Sequence, residues 1–301
     1  MFQAYYMIVL FGFAFSLPNM SGAEHVPFEL NYNITYSSHH TQFLNQHEEI
    51  VLSIDKHSGS LIYFILLEIH LHVNKCGNTF TTSLRRYGSG LFGIRLKLPS
   101  NDTGGIITTF YLISLPNNDT HRDEVDFEFL GNKQPPYTLS TNVISNGNLH
   151  REQQISLWFD PTTYFHLYQI LWNQHQLVLF VDEIPIRVFK NDPSIGPIFP
   201  TKPMEIQGTI WNATWAKHGS LPDWSLGPFK AYYQGFDIDG CPATNLNTTE
   251  CHDYKYAWNG EYYKSLNQVQ EHAYEIVKRY YLKYNYCTAT HPSPPECKIN
   301  N

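Results

Sequence analysis

Between Phe28 and Phe236 the chain alternates short runs of aliphatic, aromatic and β-branched residues with turn-forming clusters. Ile50 to Ile54 precedes His57-Ser58-Gly59, Leu91 to Leu98 ends at Pro99, Ile106 to Ile113 stops before Pro116, and Leu177 to Val181 meets Asp182-Glu183. Runs of this length between turn signals predict strands, and no helical period of apolar positions competes with them here. The pattern predicts an all-β sandwich or jelly roll. One segment near the other end differs. From Ser265 to Tyr284 apolar residues fall at Leu266, Val269, Ala273, Ile276, Val277, Tyr280 and Tyr284, and Ser265 with Gln268 has the form of a capping box. One amphipathic helix is expected there, beyond a Gly/Asn/Thr/Cys-rich boundary at 236–251.

Composition narrows the class. A chain of 301 residues is long enough for one large core, and 16% charged with 15% aromatic residues excludes a disordered protein or a coiled coil. The formal net charge of -7, with no Lys/Arg run longer than a pair, argues against nucleic acid and against a polybasic membrane contact. The 21 Tyr, 19 Phe and 6 Trp suit stacking on the C–H faces of sugars, and they equally suit aromatic strands packing a large sandwich.

Met7 to Leu17 is an apolar run followed by Ser21-Gly22-Ala23, so residues 1–23 read as a secretory signal peptide too short to span a membrane. Asn-x-Thr sequons begin at Asn33, Asn101, Asn118, Asn212 and Asn247 and become glycan acceptors on export. The cysteines agree with export. Cys241 with Cys251 and Cys287 with Cys297 each enclose nine residues, which makes two local disulfides the simplest connectivity and leaves Cys76 over. A zinc site is the alternative, but Cys-x9-Cys is not ligand spacing.

The chemistry-bearing segment is His121 to Gly131, HRDEVDFEFLG. On a period-2 strand Val125, Phe127 and Phe129 point to one face, and Glu124, Asp126 and Glu128 to the other. Three carboxylates in a row repel one another and raise at least one pKa. Glycosidic cleavage needs that division: an ionised carboxylate to attack the anomeric carbon and a protonated acid for the leaving oxygen. A solvated acidic strand face and a Ca²⁺ site are the alternative readings of the same spacing.

This segment resembles the active-site signature of the plant xyloglucan endotransglucosylase/hydrolases, in glycoside hydrolase family 16. Further runs follow in the family's order: Tyr87-Gly88-Ser89-Gly90-Leu91-Phe92, REQ and LWFDPT within 151–162, PIRVFKN at 185–191, Pro203-Met204, Ile210-Trp211-Asn212, and Tyr284-Asn285-Tyr286-Cys287-Thr288. The resemblance runs from about Pro27 to the C-terminus. It implies a concanavalin-like curved β-jelly-roll sandwich over 24–235, with a short disulfide-bonded C-terminal extension over 236–301 that lengthens the acceptor side of an open cleft. It further implies Glu124 as nucleophile, Asp126 as assisting carboxylate and Glu128 as general acid/base that also touches substrate. Sugar contacts carry over to Ser140, Thr141, Asn142, His150, Arg151, Glu152, Thr214, Trp215 and Gly219. Trp215 has a core residue as its alternative reading, and Arg151 a surface ion-pair partner. The implied protein is a secreted monomer of the cell wall and apoplast that needs no cofactor or metal, binds neither nucleic acid nor membrane, and takes xyloglucan as donor and a xyloglucan oligosaccharide as acceptor. A non-catalytic β-glucan-binding module and a hydrolysis-only endo-β-glucanase are the competing functions, and a binding module has no use for all three acids.

The chain departs from the family pattern in places. Ser140 stands where the family has Gln, the stretch between Trp211 and Trp215 is one residue shorter, Asn132-Lys133-Gln134 is not a sequon, and the basic residue usual between the last two cysteines is missing, with only His291 nearby. The largest departure is an apolar insertion over 61–79, containing LIYFILLEIHLHV and Cys76, whose exposure would create an aggregation site.

Overall fold

The computed structural model describes residues 26–58, 77–82, 85–114, 121–196, 198–217, 219–243 and 248–300. The strands are β1 (Tyr32–Tyr36), β2 (Thr41–Leu44), β3 (Glu49–Ile54), β4 (Gly77–Thr82), β5 (Tyr87–Lys97), β6 (Ile106–Ile113), β7 (Glu124–Leu130), β8 (Thr138–Ile144), β9 (Gln153–Ser156), β10 (His166–Trp172), β11 (Gln176–Val181), β12 (Ile184–Lys190), β13 (Glu205–Asn212), β14 (Phe229–Gln234), β15 (Asp239–Pro242) and β16 (Leu282–Asn285). They form two antiparallel sheets. The first runs β1-β4-β13-β6-β7-β8-β9-β16, and the second runs β12-β11-β10-β5-β14-β3-β2 with β15 beside β5. The sandwich expected from the hydrophobic pattern is therefore present: Ile50–Ile54, Ile106–Ile113 and Leu177–Val181 lie on β3, β6 and β11, and the run from Leu91 lies on β5 up to Lys97.

Much of the aromatic surplus fills the space between the sheets. Phe80, Phe92, Phe110, Phe127, Phe129, Tyr168 and Tyr233 are buried, with edge-on pairs such as Phe129–Tyr168 at 4.7 Å and Phe80–Tyr233 at 5.1 Å between ring centroids. Edge-to-face geometry sets the positive rim of one ring against the negative face of the next. Gly208 in β13 makes room for one of these rings, since a Cβ there would stand 2.3 Å from Phe80.

The C-terminal extension wraps this sandwich. It covers the outer face of the second sheet, where Leu91, Leu171, Val178, Phe180 and Val188 pack with Trp258 and Tyr274, and it adds β16 to the edge of the first sheet. Both expected disulfides form, Cys241–Cys251 with a Cα separation of 5.4 Å and Cys287–Cys297 with 5.5 Å.

Four expectations change. The helix α1 spans Gln268–Tyr280 rather than beginning at Ser265. Its capping box is built by Asn267, whose Oδ1 accepts from the amides of Val269 at 3.0 Å and Gln270 at 2.9 Å while Gln270 Oε1 accepts from the Asn267 amide at 3.1 Å. The inward face is Gln270, Ala273, Tyr274 and Val277; Val269 and Tyr280 are exposed, and Tyr284 belongs to β16. Residues 77–79 belong to the sandwich rather than to the apolar insertion, because they begin β4, pair with β13 and, at Thr79, with β1, and bury Asn78 completely. Asn212 is no glycan acceptor in the folded chain, being 1% exposed on β13, whereas Asn33 and Asn101 are exposed. The signal segment 1–23, residues 61–76 with Cys76, Asn118 and Asn247 lie outside the described residues.

Candidate active site

β7 lies in the middle of the first sheet, between β6 and β8. Its alternation holds as the sequence predicts: Val125, Phe127 and Phe129 are buried in the core, and Glu124, Asp126 and Glu128 line the outer face. Opposite residues of antiparallel strands share a face. The β6 neighbours of the acids are therefore Ile113, Tyr111 and Thr109, and the β8 neighbours are Ile144, Asn142 and Ser140. The next strand beyond β6 contributes Glu205, Gln207, Thr209 and Trp211.

Polar contacts order this surface. Arg122 Nε donates to Glu124 Oε2 at 2.5 Å, the ion pair closest to the row of acids. Tyr111 Oη donates to Gln207 Oε1 at 2.5 Å, Gln207 Nε2 donates to Glu205, and the hydroxyls of Thr109 and Thr209 meet at 2.6 Å. At the β7 start, the Asp123 carboxylate accepts from the amides of Asn146 at 2.7 Å, Thr201 at 2.7 Å and Lys202 at 2.8 Å, which ties two loops to the base of Glu124.

Crowding decides where protons reside. Burial, then the charges of Glu124 and Glu152, push Glu128 up to about 7. Burial first and the charges of Glu124 and Glu128 next raise Asp126 well above the ordinary carboxyl range, against the opposing pull of Arg122. The row thus holds one carboxylate in an ion pair with a guanidinium and a second carboxyl, four residues on, with a proton available near neutral pH. These are the two states that acid-assisted nucleophilic displacement requires.

The other residues singled out in the sequence divide into two sets. Ser140, Asn142 and Glu152 join the acids on the outer face. Ser140 is 1% exposed, and its hydroxyl is committed to Glu152 Oε1 at 2.8 Å. Trp215 is 56% exposed, with its ring 6.4 Å from that of Trp211, so it forms the rim at the β13 end rather than core. Thr214 and Gly219 flank it, with Gly219 exposed at φ +89°. His150 is exposed on the loop before β9.

Two expected side-chain contacts are not on this face. Thr141 sits opposite Phe127 and points inward, where its hydroxyl bonds the Gln153 carbonyl at 3.3 Å and accepts from Arg187 Nη1 at 3.0 Å. Strand alternation forbids three consecutive residues from facing one ligand. Arg151 is 2% exposed and bonds Glu296 at 2.7 Å, so it is an ion-pair partner, but a buried one. Sequence reasoning missed Arg122, Tyr111, Gln207 and Glu205. The available signal for Tyr111 was the hydroxyl it places on the strand Ile106–Ile113 at the parity shared with Thr109.

The profile of "Glycosyl hydrolases family 16" matches residues 28–226. "Xyloglucan endotransglucosylase/hydrolase protein 2" of Arabidopsis thaliana is 42% identical over 284 residues, 91% of this chain and 90% of that protein. "Xyloglucan endotransglucosylase/hydrolase 1" of Glycine max is 41% identical over 286 residues, 91% of this chain and 88% of that one. Among solved structures, a prokaryotic β-1,3-1,4-glucanase (lichenase) from a mouse hindgut metagenome has a TM-score of 0.53 at 20% identity, covering 71% of this chain and 94% of its own. A Bacillus licheniformis β-glucanase has a TM-score of 0.52 at 21% identity, covering 72% and 92%. These two share the jelly-roll fold. With the acids ordered on β7 as described, the chain belongs to glycosyl hydrolase family 16, among its xyloglucan endotransglucosylase/hydrolases.

Proposed function

We propose that the protein is a secreted plant cell-wall enzyme that cleaves the β-1,4-glucan backbone of xyloglucan and passes the donor half to another xyloglucan end or to water. Glu124 attacks the anomeric carbon while Glu128 gives its proton to the departing glucan oxygen, so the C1–O bond breaks as the glycosyl ester forms. Asp126 stands between them and orients the nucleophile. Glu128, now ionised, takes the proton of an incoming sugar hydroxyl or water, which attacks C1 and frees Glu124 with retained configuration. Carboxyls four residues apart on a strand start from Cα atoms about 13 Å apart, so their side chains must lean toward each other over Asp126.

The observation that carries this reading is the unequal state of the two glutamates, one held in an ion pair with Arg122 and the other pushed up to about 7. Trp215, backed by the buried Trp211, supplies a stacking plane at one end, and Asn142, Glu152 and His150 supply polar contacts toward β9. β16, contributed by the C-terminal extension, lengthens the sheet on that side and favours a bound acceptor over water.

The test is product analysis by mass after incubating purified secreted protein with xyloglucan and a labelled short xyloglucan oligosaccharide. Transfer places the label on long chains, and Glu124→Gln abolishes it while leaving secretion intact. New reducing ends without label on long chains would mark a hydrolase alone. Binding without cleavage would sink the enzymatic reading.

A further inference from the structure

Glu152 lies outside the Glu-x-Asp-x-Glu motif, yet the sheet register brings its carboxylate beside Glu128. Ser140 stands directly opposite Glu128 across β7 and β8, and Gln154 directly opposite Ser140 across β8 and β9. Residues so paired have Cβ atoms about 4.5–5.5 Å apart. One oxygen of Glu152, Oε1, accepts from both Ser140 Oγ at 2.8 Å and Gln154 Nε2 at 2.8 Å. Two donors converging on one oxygen fix a long side chain that would otherwise sample several rotamers.

We propose that Glu152 is a positioning residue for the reaction: clamped by Ser140 and Gln154, its negative charge keeps the proton on Glu128 and so maintains that carboxyl as the acid of the site. The inference rests on the reading of Glu128 as general acid, and it assigns Glu152 a task that a sugar contact would not perform. A like charge disfavours ionisation of its neighbour most where water is scarce. Among the described residues, the charged and titratable groups around Glu128 besides Glu152 are Glu124 and Asp126 from β7 itself and Tyr111 from β6, with Arg122 paired to Glu124, Arg187 approaching Asp126 from the core side, and Glu205 of β13 farther off at the Glu124 end of the row. Its nearest neighbours on β8 and β9, Ser140, Asn142 and Gln154, are uncharged. Glu152 supplies the like charge from that side, and it ranks after burial and Glu124 among the influences on Glu128.

The role is tested by carboxyl ¹³C NMR titration of free protein labelled at glutamate, with the Glu128 signal assigned through Glu128→Gln. Wild type is expected to titrate at about 7. In Glu152→Gln the Glu128 midpoint falls by about half a pH unit or more, and in Ser140→Ala it moves the same way by less, because the clamp loosens while the charge stays. The alkaline limb of xyloglucan turnover moves down with it. An unmoved Glu128 midpoint in Glu152→Gln overturns the proposal, whether or not KM rises, because a residue that only binds sugar changes KM and leaves the free protein's titration alone. If the midpoint moves while wild type neither cleaves nor transfers xyloglucan, the control of the proton stands and the proposed substrate falls.

Discussion

β8 separates two groups of three ionisable side chains that are treated in opposite ways. On its outer side, beside Ser140 and Asn142, stand Glu124, Asp126 and Glu128. On its inner side Arg187 donates to the Thr141 carbonyl at 2.7 Å, to the Thr141 hydroxyl at 3.0 Å and to the Arg151 carbonyl, while Arg151 pairs with Glu296 at 2.7 Å. The inner group mixes signs and spends its donors on backbone carbonyls. The outer group is of one sign, and Arg122 is the guanidinium bonded to it. Burying charge costs free energy in both places. In the inner group hydrogen bonds and pairing offset that cost, and the result anchors the C-terminal loop to the sandwich. In the outer group it is left partly standing, as raised proton affinity at Asp126 and Glu128. Charge buried for architecture is satisfied; charge buried for chemistry is kept at odds with its neighbours.

The contrast is broken most directly through the acids. Glu128→Gln is expected to lower turnover of the polysaccharide by about 10²–10⁴-fold, the contribution of a positioned general acid. A xyloglucan oligosaccharide fluoride, which leaves without a proton, should still load Glu124, as read by intact-protein mass. The thermal midpoint of the variant should stay level or rise, since the amide relieves like-charge crowding. A clear drop in midpoint would mean that the acids stabilise the fold and that the two groups do not differ in kind.

The inner group should answer in the opposite way. Glu296→Ala leaves the Arg151 guanidinium buried without its carboxylate, a change that costs about 3–5 kcal/mol in such pairs and that urea unfolding would measure. Replacing both Cys287 and Cys297 by Ser should cost about 2–3 kcal/mol, the chain entropy of a loop this short. Either change leaves every β7 carboxyl in place. If both variants unfold at the wild-type urea midpoint, the buried pair is not an anchor.

How much of this was legible in the sequence follows from the distance over which each feature is determined. The strands and the acid face were legible because alternation is local, as in VDFEF at 125–129. The same rule, applied to Ser140-Thr141-Asn142, would have removed Thr141 from the sugar-facing set. The helix was legible as a period, but Ser265 and Asn267 are both good caps and only tertiary placement chose the second. The Arg151–Glu296 pair joins residues 145 apart and Tyr111–Gln207 residues 96 apart, and no local pattern announces such partners. Arg151 therefore read as a surface or sugar-binding residue until the fold buried it. Residues 77–79 read as the end of an apolar insertion for the same reason, since their partners on β1 and β13 are remote.

The smallest effect is the most diagnostic of the contrast. A carboxyl whose folded pKa is raised contributes stability that is fully present below its unfolded pKa and is lost as pH rises through its folded value. For Glu128 the window runs from the ordinary 4.5 to about 7: the unfolded chain releases the proton early in that interval and the folded protein retains it, so stability falls with rising pH and levels off above. Asp126 is raised too and acts in the same direction. One proton contributes a slope of at most about 1.4 kcal/mol per pH unit. Arg187, lowered only to about 10, is charged throughout that window and adds no slope there. Urea unfolding at several pH values between 5 and 8 should therefore give Glu128→Gln a flatter decline than wild type, and Glu296→Ala the wild-type decline displaced downward. Equal slopes for Glu128→Gln and wild type would remove Glu128 as the holder of the retained proton, and with it the distinction between a satisfied and an unsatisfied buried charge in this fold.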